Sequence, residues 1–167
     1  AYQFSEKWDD ITLWRSKKIS NPKNRFLADP FVIKKNGTHF CFVEDLDYRT
    51  NRGSISAYKI TSSSCDSLGV VLEEDFHLSF PFIFEYQNEL YMCPETHEKG
   101  EIRVYKCIDF PTKWEFHKTL MSDVSAADSI IFKRDNVWWL FTNIDKSSVG
   151  DYGCQLHIFS ADNPLSD

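Results

Sequence analysis

Apolar residues along the chain fall into three short runs that recur at a nearly constant interval. The runs are Phe31–Ile33, Phe82–Phe84 and Ile130–Phe132. Each follows a similar tripeptide, which reads Ala-Asp-Pro, then Ser-Phe-Pro, then Ala-Asp-Ser. The runs are spaced by 51 and then 48 residues. Self-similarity at such a period is typical of β-propeller blades and other repeat arrays, and it argues against one irregular globular core.

Each repeat predicts four short strands. A run that is apolar throughout is typical of a strand covered on both faces. Seven residues past Pro30, Pro81 and Ser129 a turn former follows, and an aromatic-rich second strand begins soon after it. Alternating third strands are predicted at 55–58, 102–105 and 156–159, and fourth strands end at Leu72 and Leu120.

We therefore predict an all-β fold, a β-propeller of four-stranded blades, over residues 1–167. The blade repeats span about 28–76, 79–124 and 127–167. Residues 14–19 resemble the fourth strand that begins near Trp114, which predicts an orphan strand ahead of the first blade. Because propellers have roughly 4–8 blades, three repeats predict that closure uses the remaining blades of a longer protein or another copy.

Composition removes several classes of partner. The net charge is −6 with scattered Lys and Arg, so no nucleic acid is expected. The longest wholly apolar runs are about five residues, such as Val137–Phe141, so no transmembrane segment is predicted. The five cysteines form no Cys-x-x-Cys pair, and reduced structural thiols or a single disulfide both fit them. The cytoplasm and the lumen of the secretory pathway both stay open as compartments.

Acidic residues stand just ahead of the apolar run in two of the three repeats. In a propeller the first strand of each blade lines the central channel, so the residues at its start share one pocket. These residues are Asp29, Phe80 and Asp128. A carboxylate beside buried apolar strands costs free energy unless it is paired or hydrogen-bonded. Because Asp is also common as a turn residue before strands, a structural role for both stays open beside a functional one.

Two glutamates and one histidine form a second set of candidates, for substrate binding. Glu44 and Glu95 close the second strand in the first two repeats, where a solvated strand end is the alternative explanation. His77 comes just before the second repeat, near the expected channel mouth, although a single His is more often a structural residue. The scattered histidines and cysteines predict no metal site.

Two carboxylates facing one pocket, with a third acid nearby, are the minimum set for glycoside hydrolysis. One carboxylic acid protonates the leaving oxygen, and a carboxylate acts as base or nucleophile on the opposite face. No nucleophile elbow, phosphate-binding loop or cofactor motif competes with this chemistry, and we predict no cofactor.

Several ordered motifs resemble one particular propeller-like domain. From first to last they are Phe26-Leu27-Ala28-Asp29-Pro30-Phe31, Phe42-Val43-Glu44, His77-Leu78-Ser79-Phe80-Pro81, Tyr91-Met92-Cys93-Pro94-Glu95, Phe110-Pro111-Thr112-Lys113-Trp114, Ala127-Asp128 and Trp138-Trp139-Leu140-Phe141. From about Trp14 to Pro164 the chain resembles the N-terminal domain of glucosamine inositolphosphorylceramide transferase-like proteins, which is also found in bacterial glycan-biosynthesis enzymes. Those domains are similar to the five-bladed propellers of glycoside hydrolase families 43, 32 and 68.

The resemblance implies catalytic roles for two residues. In the family 43 pattern the base is an Asp on the first blade, which matches Asp29. A second Asp tunes the acid and orients the substrate from the third blade, and it matches Asp128. The general acid is a Glu of a later blade, which this chain does not include, and Glu95 on the second blade does not take that role.

Three functions from different classes remain as hypotheses. The first is a carbohydrate-binding or accessory propeller domain of a glycosyltransferase-associated, glycan-biosynthesis protein. Its partners would be a carbohydrate or glycan, together with remaining blades or a C-terminal catalytic domain of the same longer protein. The second is a furanosidase-like propeller glycosidase with Asp29 as base. The third is a protein-interaction propeller without a small-molecule site.

Overall fold

A computed structural model describes residues 1–146 and 155–166, and the described chain is built from antiparallel strands joined by turns. The first sheet contains β1 (Arg25–Lys35), β2 (Thr38–Asp47), β3 (Arg52–Ile60) and β4 (Cys65–Leu72). The second contains β5 (Ser79–Tyr86), β6 (Glu89–Glu95), β7 (Glu101–Asp109) and β8 (Lys113–Ser122). The third contains β9 (Ala126–Arg134), β10 (Val137–Ile144) and β11 (Leu156–Ala161).

Strands within each sheet follow one another in chain order, so every sheet is a simple meander that corresponds to one predicted repeat. The predicted all-β, propeller-type fold is confirmed. Short 3₁₀ turns lie at Trp8–Asp10, Leu13–Arg15 and His97–Lys99. Within the described residues, no helix has the length and apolar character needed to cross a membrane.

Each sheet begins with a tight hairpin whose two central residues both have positive φ. The pairs are Asn36 and Gly37, Gln87 and Asn88, and Asp135 and Asn136, with φ between 51° and 77°. Two consecutive left-handed residues form a type I′ turn, whose twist matches that of the flanking strands. The turn formers seen in the sequence therefore act in the predicted place.

Apolar contacts between consecutive sheets form the core. Phe42, Ile55 and Ala57 of the first sheet pack against Met92 and Tyr105 of the second in one buried cluster. A second buried cluster joins the second and third sheets; it contains Tyr91, Cys93, Ile102, Val104, Ile131 and Trp138. The second sheet is therefore covered on both faces, as its uninterrupted apolar run predicted.

The predicted strand at residues 14–19 is wrong. Leu13–Arg15 forms a 3₁₀ turn, and Lys17 makes an isolated bridge with Tyr2 through two backbone hydrogen bonds of 2.8 and 2.9 Å. A strand needs a partner along its length to satisfy its backbone groups. Within the described chain, Tyr2 is the only residue that pairs with this segment through a β-bridge. The Lys17 ammonium donates a hydrogen bond to the Ser62 carbonyl.

Four of the five cysteines lie in the described residues, and all four are free thiols. Cys41 and Cys93 are buried, and burial raises the pKa of Cys41 to about 11 and that of Cys93 to about 12. These thiols therefore stay protonated at neutral pH and serve as small apolar groups. Cys154 lies outside the described residues.

Phe42 provides a direct test of the contact between the first two sheets. Its side chain is fully buried and meets Trp114 edge-to-face at a ring separation of 5.6 Å. We expect Phe42→Ala to lower the free energy of unfolding by about 3–5 kcal/mol, because it removes a buried ring and leaves a cavity. Urea denaturation measures the change. Phe26→Ala on the same sheet is the control, since Phe26 is 43% exposed, and an equal loss in both variants would contradict the packing.

Candidate active site at the hub

The first strand of every sheet carries a β-bulge at the same repeat position. Regular pairing is interrupted between Ala28 and Phe31, between Ser79 and Phe82, and between Ala127 and Ile130. Within these bulges Asp29, Phe80 and Asp128 adopt φ of 47°, 45° and 53°. Such angles are uncommon for residues with a side chain, and they are outliers for a bulky Phe. A bulge changes the direction of the side chain beside it. The same kind of bulge therefore sets the direction of the Asp29, Phe80 and Asp128 side chains.

Hydrogen bonds tie each bulge to the neighbouring sheet. The Phe80 backbone N–H, on the second sheet, lowers the pKa of the Asp29 carboxyl group on the first sheet. The Asp128 backbone N–H donates to Glu95 Oε2 at 3.3 Å, from the third sheet to the second. The bulge positions of successive sheets therefore meet, and we call the region around Asp29, Glu44, Glu95 and Asp128 the hub.

The carboxyl group of Asp29 stands in an unfavourable environment for a negative charge. Burial raises its pKa most, the charge of Glu44 and then that of Asp128 raise it further, and the Phe80 N–H works in the opposite direction. Glu44 therefore raises the pKa of Asp29 more than any other charged side chain does.

Glu95 is shielded from solvent in the same region. Burial raises the pKa of its carboxyl group most, and the charge of Asp128 adds to the shift. His97 opposes it, because its ring Nδ1 lies 3.0 Å from Glu95 Oε1. Asp128 therefore acts electrostatically on both Asp29 and Glu95, which places acids from all three sheets in one cluster.

His77 holds Glu44 in place. Its Nε2 lies 3.3 Å from Glu44 Oε1, and its Nδ1 accepts the Gly53 N–H at 3.1 Å. The proton of the neutral ring must then sit on Nε2, facing the carboxylate. Glu44 is the largest factor that raises the pKa of His77. Protonation of Nδ1 would break the hydrogen bond from Gly53. Glu44 therefore favours the charged His77 ring, whereas the Gly53 N–H favours the neutral ring.

Gly53 allows His77 this close approach. An added Cβ at Gly53 would lie 2.4 Å from the Leu78 carbonyl oxygen and 3.0 Å from the His77 ring. The clash involves main chain that itself pairs with Gly53, since the Leu78 N–H donates to its carbonyl at 3.0 Å. Only a glycine fits between the two segments.

The structure brings all five predicted site residues into one region. The charges of Glu44 and Asp128 both act on Asp29. Glu95 accepts a hydrogen bond from the Asp128 backbone, and His77 contacts Glu44. The bulges were missed because a positive φ at Asp or Phe leaves no mark in an apolar pattern. His97 was also missed, since nothing in the repeat marks it.

Metal-binding clusters and a second groove were also considered as possible sites in the described part of the chain. Across residues 1–146 and 155–166, no three His, Cys, Asp or Glu side chains are arranged to hold a metal ion. A groove of about 220 Å³ between the second and third sheets is lined by Leu120, Trp138, Phe159 and Pro164 among others, and no titratable side chain lines it. This groove therefore offers no side chain that could act as an acid or a base.

Asp29→Asn tests whether the ionised Asp29 carboxylate destabilises the folded protein. A carboxyl group whose folded pKa is raised destabilises the folded state above its unfolded pKa of about 3.9, and this cost disappears below that pH. Asn keeps the acceptor for the Phe80 N–H and can donate to Glu44. We expect the variant to be more stable than the parent at pH 7, by less than about 1 kcal/mol because Asp29 is partly exposed. The difference should shrink as the pH falls and vanish below the unfolded pKa of about 3.9.

Chemical denaturation at several pH values measures this difference. Asp135→Asn is the control, because the Asp135 side chain is 91% exposed in a hairpin turn. A loss of stability in Asp29→Asn at pH 7 would show that the ionised carboxylate is a net stabilising group and would contradict the arrangement described.

Gly53→Ala tests the support of the hub. We expect a loss of about 1–3 kcal/mol in the free energy of unfolding, because the added methyl must displace backbone or the His77 ring. The titration of His77, followed by NMR, should also change, since its hydrogen bond from Gly53 would be distorted. An unchanged denaturation midpoint together with an unchanged His77 titration would contradict the close approach.

The chain is similar to one protein family and to several solved structures. The model of the family described as glucosamine inositolphosphorylceramide transferase 1, N-terminal, matches residues 11–167. The chain is 36% identical over 146 residues to glucosamine inositolphosphorylceramide transferase 1 of Oryza sativa subsp. japonica, covering 86% of this chain and 19% of that protein. The Arabidopsis thaliana protein of the same name is 34% identical over the same coverage. The chain thus spans about a fifth of these relatives.

Solved structures share the fold at low sequence identity. A thermostable family-43 glycoside hydrolase superposes with a TM-score of 0.64 at 12% identity, over 84% of this chain and 52% of that one. The catalytic domain of a family-62 α-L-arabinofuranosidase from Coprinopsis cinerea gives 0.64 at 15% identity, over 87% and 49%. At these identities the likeness concerns the fold alone.

Proposed function

Since the chain belongs to the family of glucosamine inositolphosphorylceramide transferase N-terminal domains, we propose that it is a carbohydrate-binding domain of a glycan-biosynthesis protein, with the hub as its binding site. The observation that carries the proposal is that Asp29, Phe80 and Asp128 stand at equivalent bulges of three sheets with left-handed backbone. The charge of Asp128 also acts on Asp29. Strained backbone of this kind is characteristic of binding and active sites.

The side chains at the hub suit a sugar. An ionised carboxylate accepts hydrogen bonds only, so the exposed Asp128 can receive sugar hydroxyl groups. Phe80 occupies the bulge of the second sheet and packs edge-to-face on Phe31 at a ring separation of 5.0 Å. This contact fixes the orientation of the Phe80 ring. A fixed aromatic ring provides an apolar surface for the C–H face of a pyranose. Acceptors and an apolar surface side by side are what a hydroxylated ring requires.

Hydrolysis of a glycoside is the second candidate function. Its support is the propeller fold shared with glycoside hydrolases, and the acids at two bulge positions, Asp29 as base and Asp128 as its supporting carboxylate. A reaction would also need a protonated carboxyl group on the leaving-group side. Glu95 is engaged by His97 and by the Asp128 backbone, so we assign it a structural or substrate-binding role and not that of the acid.

Binding of a glycan panel tests the proposal. Because the relatives' name specifies glucosamine and inositolphosphorylceramide, the panel begins with glucosamine-containing and inositol-phosphate-containing glycans, measured by calorimetry. We expect Asp128→Ala to weaken binding about 10- to 100-fold, since it removes a charged acceptor worth about 1.5–3 kcal/mol. Asp135→Ala should leave affinity unchanged.

The other functions give different results in the same experiment. Release of free sugar that is lost in Asp29→Asn would establish a glycosidase instead. Absence of binding to every glycan, with folded protein by circular dichroism, would overturn the proposal and favour a protein-interaction propeller.

A further inference from the structure

His77 is fixed beside the hub by three contacts from three different elements. Its Nε2 lies 3.3 Å from Glu44 Oε1 on β2, and its Nδ1 accepts the Gly53 N–H at 3.1 Å from β3. Its backbone N–H donates to Glu98 Oε2 at 2.6 Å, in the 3₁₀ turn His97–Lys99. A residue held at both ring nitrogens and at its backbone keeps one orientation, so the fold itself directs the ring toward Glu44.

Glu44 connects His77 to Asp29. In the pairing of β1 with β2, Glu44 lies opposite Ala28, the residue just before Asp29. The charge of Glu44 acts on the Asp29 carboxyl group more strongly than that of any other side chain. Because the Glu44 carboxylate interacts with both groups, a change in the charge of His77 reaches Asp29 through Glu44.

Carboxylates from three elements favour a positive charge on His77. The hydrogen bond with Glu44 raises the pKa of the ring most, burial lowers it, and the charge of Glu44 raises it again. The charges of Glu95, at the end of β6, and of Glu98, in the turn, raise it further. The His77 side chain is 25% exposed, so protons from solvent can reach it.

Two cations lie beside the segment that carries His77 and oppose its protonation. Arg52 Nη1 donates to the Asp75 carbonyl at 3.1 Å, and the Lys99 ammonium lies 5.8 Å from the centre of the Phe76 ring. These contacts are made with other residues of the segment and not with the His77 ring. The carboxylates therefore dominate, and the net effect is a raised pKa of His77.

We infer that His77 is a positioning residue of the hub: as an imidazolium ion it neutralises Glu44, so that Asp29 remains an ionised acceptor in mildly acidic solution. The inference rests on the proposed function, which places the ligand at the hub. An uncompensated Glu44 would favour a proton on Asp29 as the pH falls, because like charges disfavour ionisation. The charged ring gives up the hydrogen bond from Gly53 and keeps its Nε2 contact with Glu44. His77 thus extends binding to lower pH without touching the ligand.

His77→Gln separates the charge of His77 from its hydrogen bonds. The Gln amide can donate to Glu44 and accept the Gly53 N–H, but it carries no positive charge. Titration by ¹³C NMR without ligand should give an Asp29 pKa that is higher in this variant than in the parent by about 0.5 to 1 pH unit. His117→Gln makes the same chemical change at an exposed position on β8 and should leave the Asp29 pKa unchanged.

Binding provides a second measurement. A glucosamine-containing glycan of the panel is titrated into the parent and into His77→Gln by calorimetry, at about pH 8.5 and at about pH 5. The ratio of variant affinity to parent affinity at one pH cancels any titration of the glycan itself. We expect this ratio to fall about three- to tenfold between the two pH values, because a difference of one pKa unit changes the ionised fraction up to tenfold.

An Asp29 pKa that does not rise in His77→Gln would overturn the inference, and so would an affinity ratio that is the same at both pH values. A parent that binds no glycan at any pH would refute the proposed function, while the titration of Asp29 would still decide the role of His77. If His77→Gln fails to fold, the parent decides. The Glu44 and Asp29 carboxyl signals must then both show an inflection where the His77 ring titrates, and its absence would overturn the inference.

Discussion

Packing of one twisted sheet on the next is the interaction on which the rest of the structure depends. Each sheet is apolar on both faces, so none can bury its side chains alone, and stability must arise between neighbours as it does in other repeat proteins. The clusters around Phe42 and Trp138 are the two contacts of this kind in the described chain. They fix the order of the sheets and therefore the position of every first strand.

The hub is a consequence of that packing. Once consecutive first strands are held side by side, a bulge at the same place in each one brings Asp29, Phe80 and Asp128 together. Left-handed backbone and partly buried like charges both cost free energy. The hydrogen bond from the Asp128 N–H to Glu95 and the lowering effect of the Phe80 N–H on the pKa of Asp29 offset part of this cost. The same sheets that supply stability thus maintain a strained acidic region, which is how binding sites are commonly supported.

The sequence predicted the periodic parts of this structure well and the irregular parts poorly. Apolar runs and the Asn36-Gly37 turn located the sheets and hairpins because both follow short, local rules. The resemblance of residues 14–19 to a fourth strand was misleading, since a strand also depends on a partner that the described chain does not offer. Asp29 and Asp128 were found by repeat position. Their bulges, and the Gly53 contact that orients His77, depend on tertiary approach and leave no local pattern.

Titration of the Asp29 carboxyl group by ¹³C NMR tests the central claim most directly, which is that acids from separate sheets converge on one region. The account predicts an Asp29 pKa above the ordinary value of about 3.9. It also predicts that the pKa falls in Glu44→Gln and, to a smaller extent, in Asp128→Asn, because Glu44 is the stronger of the two charges acting on it. An Asp29 that titrates at its ordinary value and ignores both substitutions would contradict the convergence.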